Sequence, residues 1–320
     1  MKRLPTFVRT CLCLALLTFA LLACAALMPS LLEARADTVV TEGLTSGDWE
    51  YRKMRRDDGS TYLEITGYTG IGGDVTTLTS VSNVYVESIG DGALADNQSI
   101  TSVTFGTSVK RIGQRAFANC RSLHAVTFYQ YKGSKGYNLH DLEEIDESAF
   151  LNCTALSSIS FPIKLRTIGA NAFKGCTSLA AVTFPVSAVN TSGETKYTVL
   201  SSIGDSAFEG CAMAGALSIP AAVETVGSRA FANCASLTSV SFPSYTMTTT
   251  TSSSTTTQHI SSHITVIGAE AFSGCASLRS AVIPATVTDL GDGAFMGCTS
   301  LADVSINCAS VSANCFANTG

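Results

Sequence analysis

Residues 112–128 read IGQRAFANCRSLHAVTF, and variants of this segment recur from residue 89 to the end of the chain. The shared pattern is Ile-Gly-x-x-Ala-Phe-x-x-Cys-x-x-Leu-x-x-Val-x-Phe, which proline follows in five copies. The units start at Ile89, Ile112, Ile145, Ile168, Ile203, Val226, Ile267, Leu290 and Val311. A unit of this size cannot bury its apolar face alone, so the copies must stack into a solenoid with one continuous core.

Each unit can be divided into two short strands and one tight turn. Leu123, Val126 and Phe128 follow the spacing Leu-x-x-Val-x-Phe, which indicates a short strand in a parallel stack. A second strand is expected to end at Ile112-Gly113, where glycine permits a sharp corner. Ala116-Phe117 is expected to lie in a short helical or 3₁₀ turn. The pattern therefore predicts a repeat solenoid of short parallel β-strands.

The phenylalanine and the cysteine of each unit are expected to point inward, one unit above the next. These predicted column residues are Phe117, Cys120, Phe150, Cys153, Phe173, Cys176, Phe208, Cys211, Phe231, Cys234, Phe272, Cys275, Phe295 and Cys298. Equivalent Cβ atoms of stacked strands lie about 5 Å apart, whereas a disulfide needs about 3.5–4.5 Å. The cysteines are therefore expected to be free, buried thiols that fill space in the core.

Three insertions follow the Phe-Pro end of alternate units, at residues 129–141, 186–200 and 244–264. Equivalent insertions in a solenoid emerge along one edge, so a row of loops is expected. The first insertion contains the candidate partner-binding residues Tyr129, Tyr131, Lys132, Lys135 and Tyr137. Tyrosines and cations are enriched at binding hot spots. The alternative is that Tyr129 and Tyr131 only extend a hairpin and pack on the next loop.

The first 36 residues have the features of an export signal. A basic start precedes the apolar run Cys11–Met28, and Ala34-Arg35-Ala36 offers a cleavage site before Asp37. The segment Leu21-Leu22-Ala23-Cys24 leaves open a lipid on Cys24, and the apolar run is long enough to remain as an uncleaved membrane anchor. All three alternatives predict an extracellular or cell-surface location.

Residues 37–88 do not match the repeat and are expected to form a β cap, with a hairpin that bends at Asp58-Gly59. Such a cap would shield the apolar edge of the first unit. At the other end, the sequence stops inside a ninth unit. The last complete unit would then present an uncovered edge, which predicts either self-association or a longer array.

Composition and motifs argue against catalysis and against nucleic acid as a partner. Residues 37–320 contain 16 Lys and Arg against 24 Asp and Glu, and an acidic surface repels phosphate backbones. His259 and His263 are four residues apart but lack a third metal ligand. No Gly-x-Ser-x-Gly occurs, and no paired catalytic carboxylates can be named. We therefore expect no enzyme activity, no cofactor and no metal.

The repeated phrase resembles the leucine-rich repeats of BspA-like bacterial surface proteins, over residues 89–320. Residues 47–51 (GDWEY) and 65–70 (ITGYTG) also look like the module that often precedes such arrays. The resemblance implies an adhesin-type protein that binds host or microbial macromolecules, with an extracellular protein or glycan as the ligand. It implies no catalytic residues. The insertions depart from a uniform array.

Overall fold

The computed structural model describes residues 37–129, 131–133, 136–138, 140–185, 187–189, 195–243, 245–250, 255–312 and 314–320. These residues contain strands and turns but no helix, and hence no helix that could cross a membrane. The strands, in chain order, are β1 Thr38–Ser46, β2 Trp49–Arg55, β3 Thr61–Tyr68, β4 Gly73–Thr76, β5 Ser80–Val81, β6 Val84–Ile89, β7 Ile100–Phe105, β8 Arg111–Ile112, β9 Ala125–Phe128, β10 Tyr131–Gly133, β11 Gly136–Asn138, β12 Glu144–Ile145, β13 Ser158–Ser160, β14 Thr167–Ile168, β15 Ala181–Thr183, β16 Ser187–Val189, β17 Thr195–Tyr197, β18 Ser202–Ile203, β19 Gly215–Ser218, β20 Thr225–Val226, β21 Leu237–Ser241, β22 Tyr245–Thr250, β23 Thr255–Ile260, β24 Val266–Ile267, β25 Ser280–Ile283, β26 Asp289–Leu290 and β27 Asp303–Ile306.

The repeated units stack in register, which confirms the predicted solenoid. One sheet has the order β1-β2-β3-β6-β8-β12-β14-β18-β20-β24-β26, with β5 paired to β6. In it, the unit-starting residues pair with one another, as Ile112 does with Ile89 and with Ile145. The opposite side consists of two sheets, β15-β13-β9-β7-β4 and β19-β21-β25-β27. The core lies between the two sides.

The second side is interrupted between β15 and β19 because the unit there departs from the pattern. Ala214 stands where other units have leucine, and Met213 is the buried residue instead. Gly215 then adopts a φ of 79°, outside the extended region of a strand. On this side of the stack, a backbone hydrogen bond from Ala214 N to Ala180 O at 3.1 Å still joins the two units.

The Ala-Phe segment forms consecutive turns closed by bonds between residues three apart, as in a 3₁₀ turn, and does not continue as a helix. Ala118 N–H donates to Arg115 O at 3.0 Å, and Cys120 N–H donates to Phe117 O at 3.2 Å. The N–H groups on either side of Ala118, those of Phe117 and Asn119, instead donate to Ala149 O and Leu151 O of the next unit, each at 2.7 Å. Arg115 adopts a φ of 56°, which interrupts any helical run. Alternate N–H groups of this segment therefore donate hydrogen bonds to the neighbouring unit. In a helix, the same N–H groups would donate to carbonyls of the segment itself.

The glycine after the unit-starting residue is needed for close packing, which corrects the expectation of a sharp corner. Gly204 does not have a positive φ. A Cβ atom at Gly204 would lie 2.6 Å from Ala170 N of the preceding unit, and one at Gly227 would lie 2.6 Å from Asp205 N. The absence of a side chain thus lets the backbones of neighbouring units touch.

The cap is a three-stranded antiparallel sheet, β1-β2-β3, that continues into the solenoid. The predicted β2–β3 hairpin is confirmed, with Gly59 at a φ of 82° and Asp58 Oδ1 accepting the Ser60 N–H at 2.8 Å. β3 then pairs in parallel with β6, and β4 pairs in parallel with β7. Parallel stacking therefore begins before residue 89.

The phenylalanines of the repeat form a column through the core. From Phe117 to Phe316, consecutive rings stack with centroids 5.1–5.4 Å apart and interplanar angles of 4–9°. Every ring from Phe117 to Phe295 in this column is fully buried. Leu94 takes the same place in the first unit, where it is also buried. The column gives the solenoid an interior that is the same in each unit.

The cysteines form a second column beside the phenylalanines, and all are free thiols. Each thiol donates to the carbonyl oxygen of the phenylalanine, or of Leu94, in the preceding unit, over 3.0–3.3 Å. The cysteines therefore do more than fill space, because each also satisfies a buried backbone acceptor.

Candidate binding surface

The three insertions form antiparallel hairpins at the end of the Phe-containing strands. The strand pairs are β10–β11, β16–β17 and β22–β23. β11 of the first hairpin lies beside β16 of the second. The insertions therefore project at one edge of the stack, as equivalent insertions in a solenoid must.

The structure places the candidate residues of the first insertion at and above the base of its hairpin. Tyr129 is 49 % exposed, and its N–H donates to Phe105 O at 3.2 Å. Lys132 lies opposite Tyr137 in the β10–β11 register. Tyr131 is paired in the same register with Asn138, and Lys135 lies outside the described residues. Four of the five candidate residues thus lie in the first hairpin or at its base.

A polar residue closes the base of each hairpin, and sequence reasoning missed all three. Each lies two positions before the buried aliphatic residue at which the solenoid resumes, and each accepts the backbone N–H of that residue. The donor–acceptor pairs are Leu142 N to His140 Nδ1 at 3.1 Å, Leu200 N to Thr198 Oγ1 at 3.5 Å and Ile264 N to Ser262 Oγ at 3.5 Å. The signal in the sequence was a polar-x-Leu/Ile pattern at the end of each insertion.

His140 is the titratable member of this set and is fully buried. Its ring meets Phe128 edge-on, with centroids 5.3 Å apart and an interplanar angle of 77°. Burial lowers the pKa of His140 to about 4, with Lys164 acting in the same direction and Asp141 opposing it. The imidazole is therefore neutral at pH 7.

A charged cluster joins the cap to the first units on the outer face of the long sheet. Nη2 of Arg111 lies 2.6 Å from Oδ1 of Asp91 and 2.5 Å from Oδ2 of Asp146. Nζ of Lys110 lies 2.6 Å from Oε2 of Glu87. A small cavity here is lined by Asp37, Arg56, Tyr62, Glu87, Ser88, Lys110 and Arg111. Because the cations already bind carboxylates of the chain, this cluster holds the cap in place rather than offering free charge.

The buried thiols are unsuited to nucleophilic chemistry. Burial raises the pKa of Cys120 and Cys234 to about 12 and that of Cys298 to about 11. The reactive form of cysteine is the thiolate, which these values suppress at neutral pH. Within the described ranges, no group of three or more His, Cys, Asp or Glu residues could hold a metal ion.

Stacked parallel strands, an inward phenylalanine column and a fixed repeat define this chain as a leucine-rich-repeat solenoid. The model of the BspA-type leucine-rich repeat region matches residues 74–195, 143–253 and 201–320, with six copies. The chain belongs to this BspA-type family. A comparison with curated protein sequences found no match.

Two solved structures, TpLRR and PcpA, share the fold. The leucine-rich repeat protein of T. pallidum, TpLRR, is 23 % identical with a TM-score of 0.52, and the match covers 82 % of this chain and 91 % of TpLRR. The pneumococcal vaccine antigen PcpA is 19 % identical with a TM-score of 0.54, over 83 % of this chain and 71 % of PcpA. A leucine-rich cell surface protein of Faecalibacterium prausnitzii is 25 % identical with a TM-score of 0.46, over 83 % and 76 % of the two chains.

Proposed function

We propose that this protein is an exported, non-catalytic binding protein of the adhesin type, which engages an extracellular protein or glycan through its hairpin row and repeat face. The observation that carries the proposal is the row of hairpins at one edge of a stacked core, the first with an exposed tyrosine at its base. A rigid stack presents such elements in a fixed order, so many weak contacts can act together.

The charge distribution supports the first hairpin as the contact point. Lys132 and Lys135 belong to an insertion that has no acidic residue before Asp141, in a chain with a net charge of −5. A local positive charge on an acidic protein favours encounter with an acidic partner and excludes basic ones. Tyr129 adds exposed aromatic area next to these lysines in sequence.

The location proposed for the protein is extracellular or at the cell surface. It is supported by the export signal expected in residues 1–36, which lie outside the described residues, and by membership of the BspA-type family. A lipid on Cys24 or an uncleaved signal segment would be the contact with a membrane. Mass spectrometry of the exported protein tests this, because cleavage before Asp37 and lipidation of Cys24 give different N-terminal peptides.

The binding proposal is tested with a panel of immobilised matrix proteins and glycans. The combined substitution Tyr131→Ala, Lys132→Ala and Lys135→Ala should weaken the ligand that binds by about tenfold or more, as loss of a hot spot does. Lys196→Ala with Tyr197→Ala, in the second hairpin, is the matched control and should have a smaller effect. Equal affinity of the wild type and the triple variant would eliminate the first hairpin as the contact point.

A second candidate function is self-association through the C-terminal units. Val282, Ile306 and Val311 are exposed apolar residues there, at 46 %, 42 % and 41 %. Apolar side chains beside a strand edge favour pairing with another chain. Light scattering over a range of concentrations tests this candidate, with Ile306→Lys as the disrupting variant. A strict monomer at high concentration would reject it.

A further inference from the structure

The base of the first hairpin contains a buried group that can change its charge. His140 is fully buried at the point where the first insertion returns to the solenoid. Its Nδ1 accepts the N–H of Leu142 at 3.1 Å, and Leu142 is itself fully buried. Among the described residues, Nε2 has no hydrogen-bond partner.

This hydrogen bond determines which nitrogen of His140 carries the proton. Because Nδ1 accepts from Leu142, the neutral ring carries its proton on Nε2. A second proton can only be added at Nδ1, where it would face the N–H of Leu142. Protonation therefore replaces a hydrogen bond with two opposed donors, inside a site that also disfavours the charge.

Burial outweighs the groups around His140 that favour a positive charge. Asp141 is the nearby carboxylate, but it is paired with Lys164 over 2.5 Å between Oδ1 and Nζ. The backbone carbonyls of Phe105 and Gly106 favour the protonated ring, and the edge contact comes from Phe128. Asp141 attracts a proton on His140, but the Lys164 that pairs with Asp141 repels that proton.

The other two hairpins provide a comparison within the same chain. Thr198 and Ser262 accept the equivalent N–H groups of Leu200 and Ile264 through hydroxyl oxygens. A hydroxyl at these positions does not titrate between pH 4 and pH 8. The hairpin that contains the candidate binding residues is therefore the one closed by an acid-sensitive group.

We propose that His140 makes the base of the first hairpin acid-labile: the segment from His140 to Leu142 is held in the solenoid at neutral pH and released from it when His140 is protonated. The biological role of this pH response rests on the proposed function, because the first hairpin contains the candidate binding residues. The structural event itself can be measured without any ligand.

The size of the effect follows from the two protonation equilibria. The pKa of His140 is lowered from 6.5 to about 4 in the folded hairpin, chiefly by burial. The closed state therefore keeps its full stability above pH 6.5 and loses it as the pH falls from there towards 4. Between pH 7.5 and pH 5, the equilibrium constant for opening the base of the hairpin should increase about 30-fold.

The test is amide hydrogen exchange of the purified protein at pH 7.5 and pH 5, with each rate corrected for the pH dependence of intrinsic exchange. The amides of Asp141 and Leu142, which donate to Thr107 and His140, should lose about 30-fold in protection at pH 5, while the amide of Leu200 at the base of the second hairpin should not change. His140→Thr copies the second hairpin and should remove the pH dependence. Thr198→His should introduce it into the second hairpin.

Two outcomes would overturn the proposal. One is equal corrected protection of the Asp141 and Leu142 amides at both pH values in the wild type. The other is an unchanged pH dependence in His140→Thr. If that variant is already open at pH 7.5, His140→Ser serves in its place, since Ser262 closes the third hairpin. Failure of the triple variant to change ligand affinity would refute the binding role of the hairpin and leave the exchange result intact.

Discussion

Phe208 in the middle of the phenylalanine column offers the sharpest test of the stacked core. Its ring is fully buried and lies between Phe173, at 5.2 Å, and Phe231, at 5.3 Å, nearly parallel to both. Replacing a buried phenylalanine with alanine costs about 3–5 kcal/mol. Because stacked pairs contribute about 0.5–1.5 kcal/mol beyond their buried area, the upper end of that range, about 4–5 kcal/mol, is expected for Phe208→Ala.

The free energy of unfolding is measured by urea titration, followed by far-ultraviolet circular dichroism. Phe316→Ala is the matched control, because this ring is only half-buried and stacks on Phe295 alone among the described residues. It should cost about 1–2 kcal/mol, in line with its smaller burial. Phe208→Leu should fall between the two, since Leu94 fills the same place in the first unit. Equal losses in the free energy of unfolding for Phe208→Ala and Phe316→Ala would refute the stabilising role of the phenylalanine column along the stack.

Further predictions concern the thiols, the glycines and the cap. In the native protein a thiol reagent should modify Cys308 first, because the column thiols are buried with raised pKa values, and unfolding without reductant should expose the rest as free thiols. Gly204→Ala should cost about 2–3 kcal/mol in urea titration, because its Cβ would overlap the backbone of the preceding unit. Gly210→Ala, which meets nothing within 4 Å, should cost about 1 kcal/mol through its positive φ alone. Glu64→Gln should cost about 1–3 kcal/mol, because buried Glu64 binds Arg52 and accepts from Ser88. Differences between the two glycine variants of less than 0.3 kcal/mol would argue against the close approach of neighbouring units.

Much of the fold could be predicted from the spacing of a few residues. The apolar positions of each unit recur at fixed offsets, so the stack, the inward phenylalanines and the positions of the three insertions could be read from the sequence. The second insertion forms a hairpin between neighbouring residues, with Val189 opposite Thr195. Such features depend on residues close together in the chain.

The candidate site could be predicted only in part. The sequence indicated a Tyr- and Lys-rich insertion, and the backbone register places Lys132 opposite Tyr137 within it. It did not reveal that His140 closes this hairpin from inside the core. A histidine next to Asp141 reads as a solvated residue, because its burial depends on Phe128, before the insertion, and on Phe105 of the preceding unit.

The amino-acid pattern alone determined that the chain repeats, which residues face inward and why the cysteines stay unpaired. The distance between successive units determined the rest. At this distance, the N–H of Phe117 donates to Ala149 O of the next unit and not within a helix. There is no room for a side chain at Gly204, and the Cys234 thiol donates to the carbonyl of Phe208. These contacts join residues 20 or more positions apart, so only the packed stack creates them.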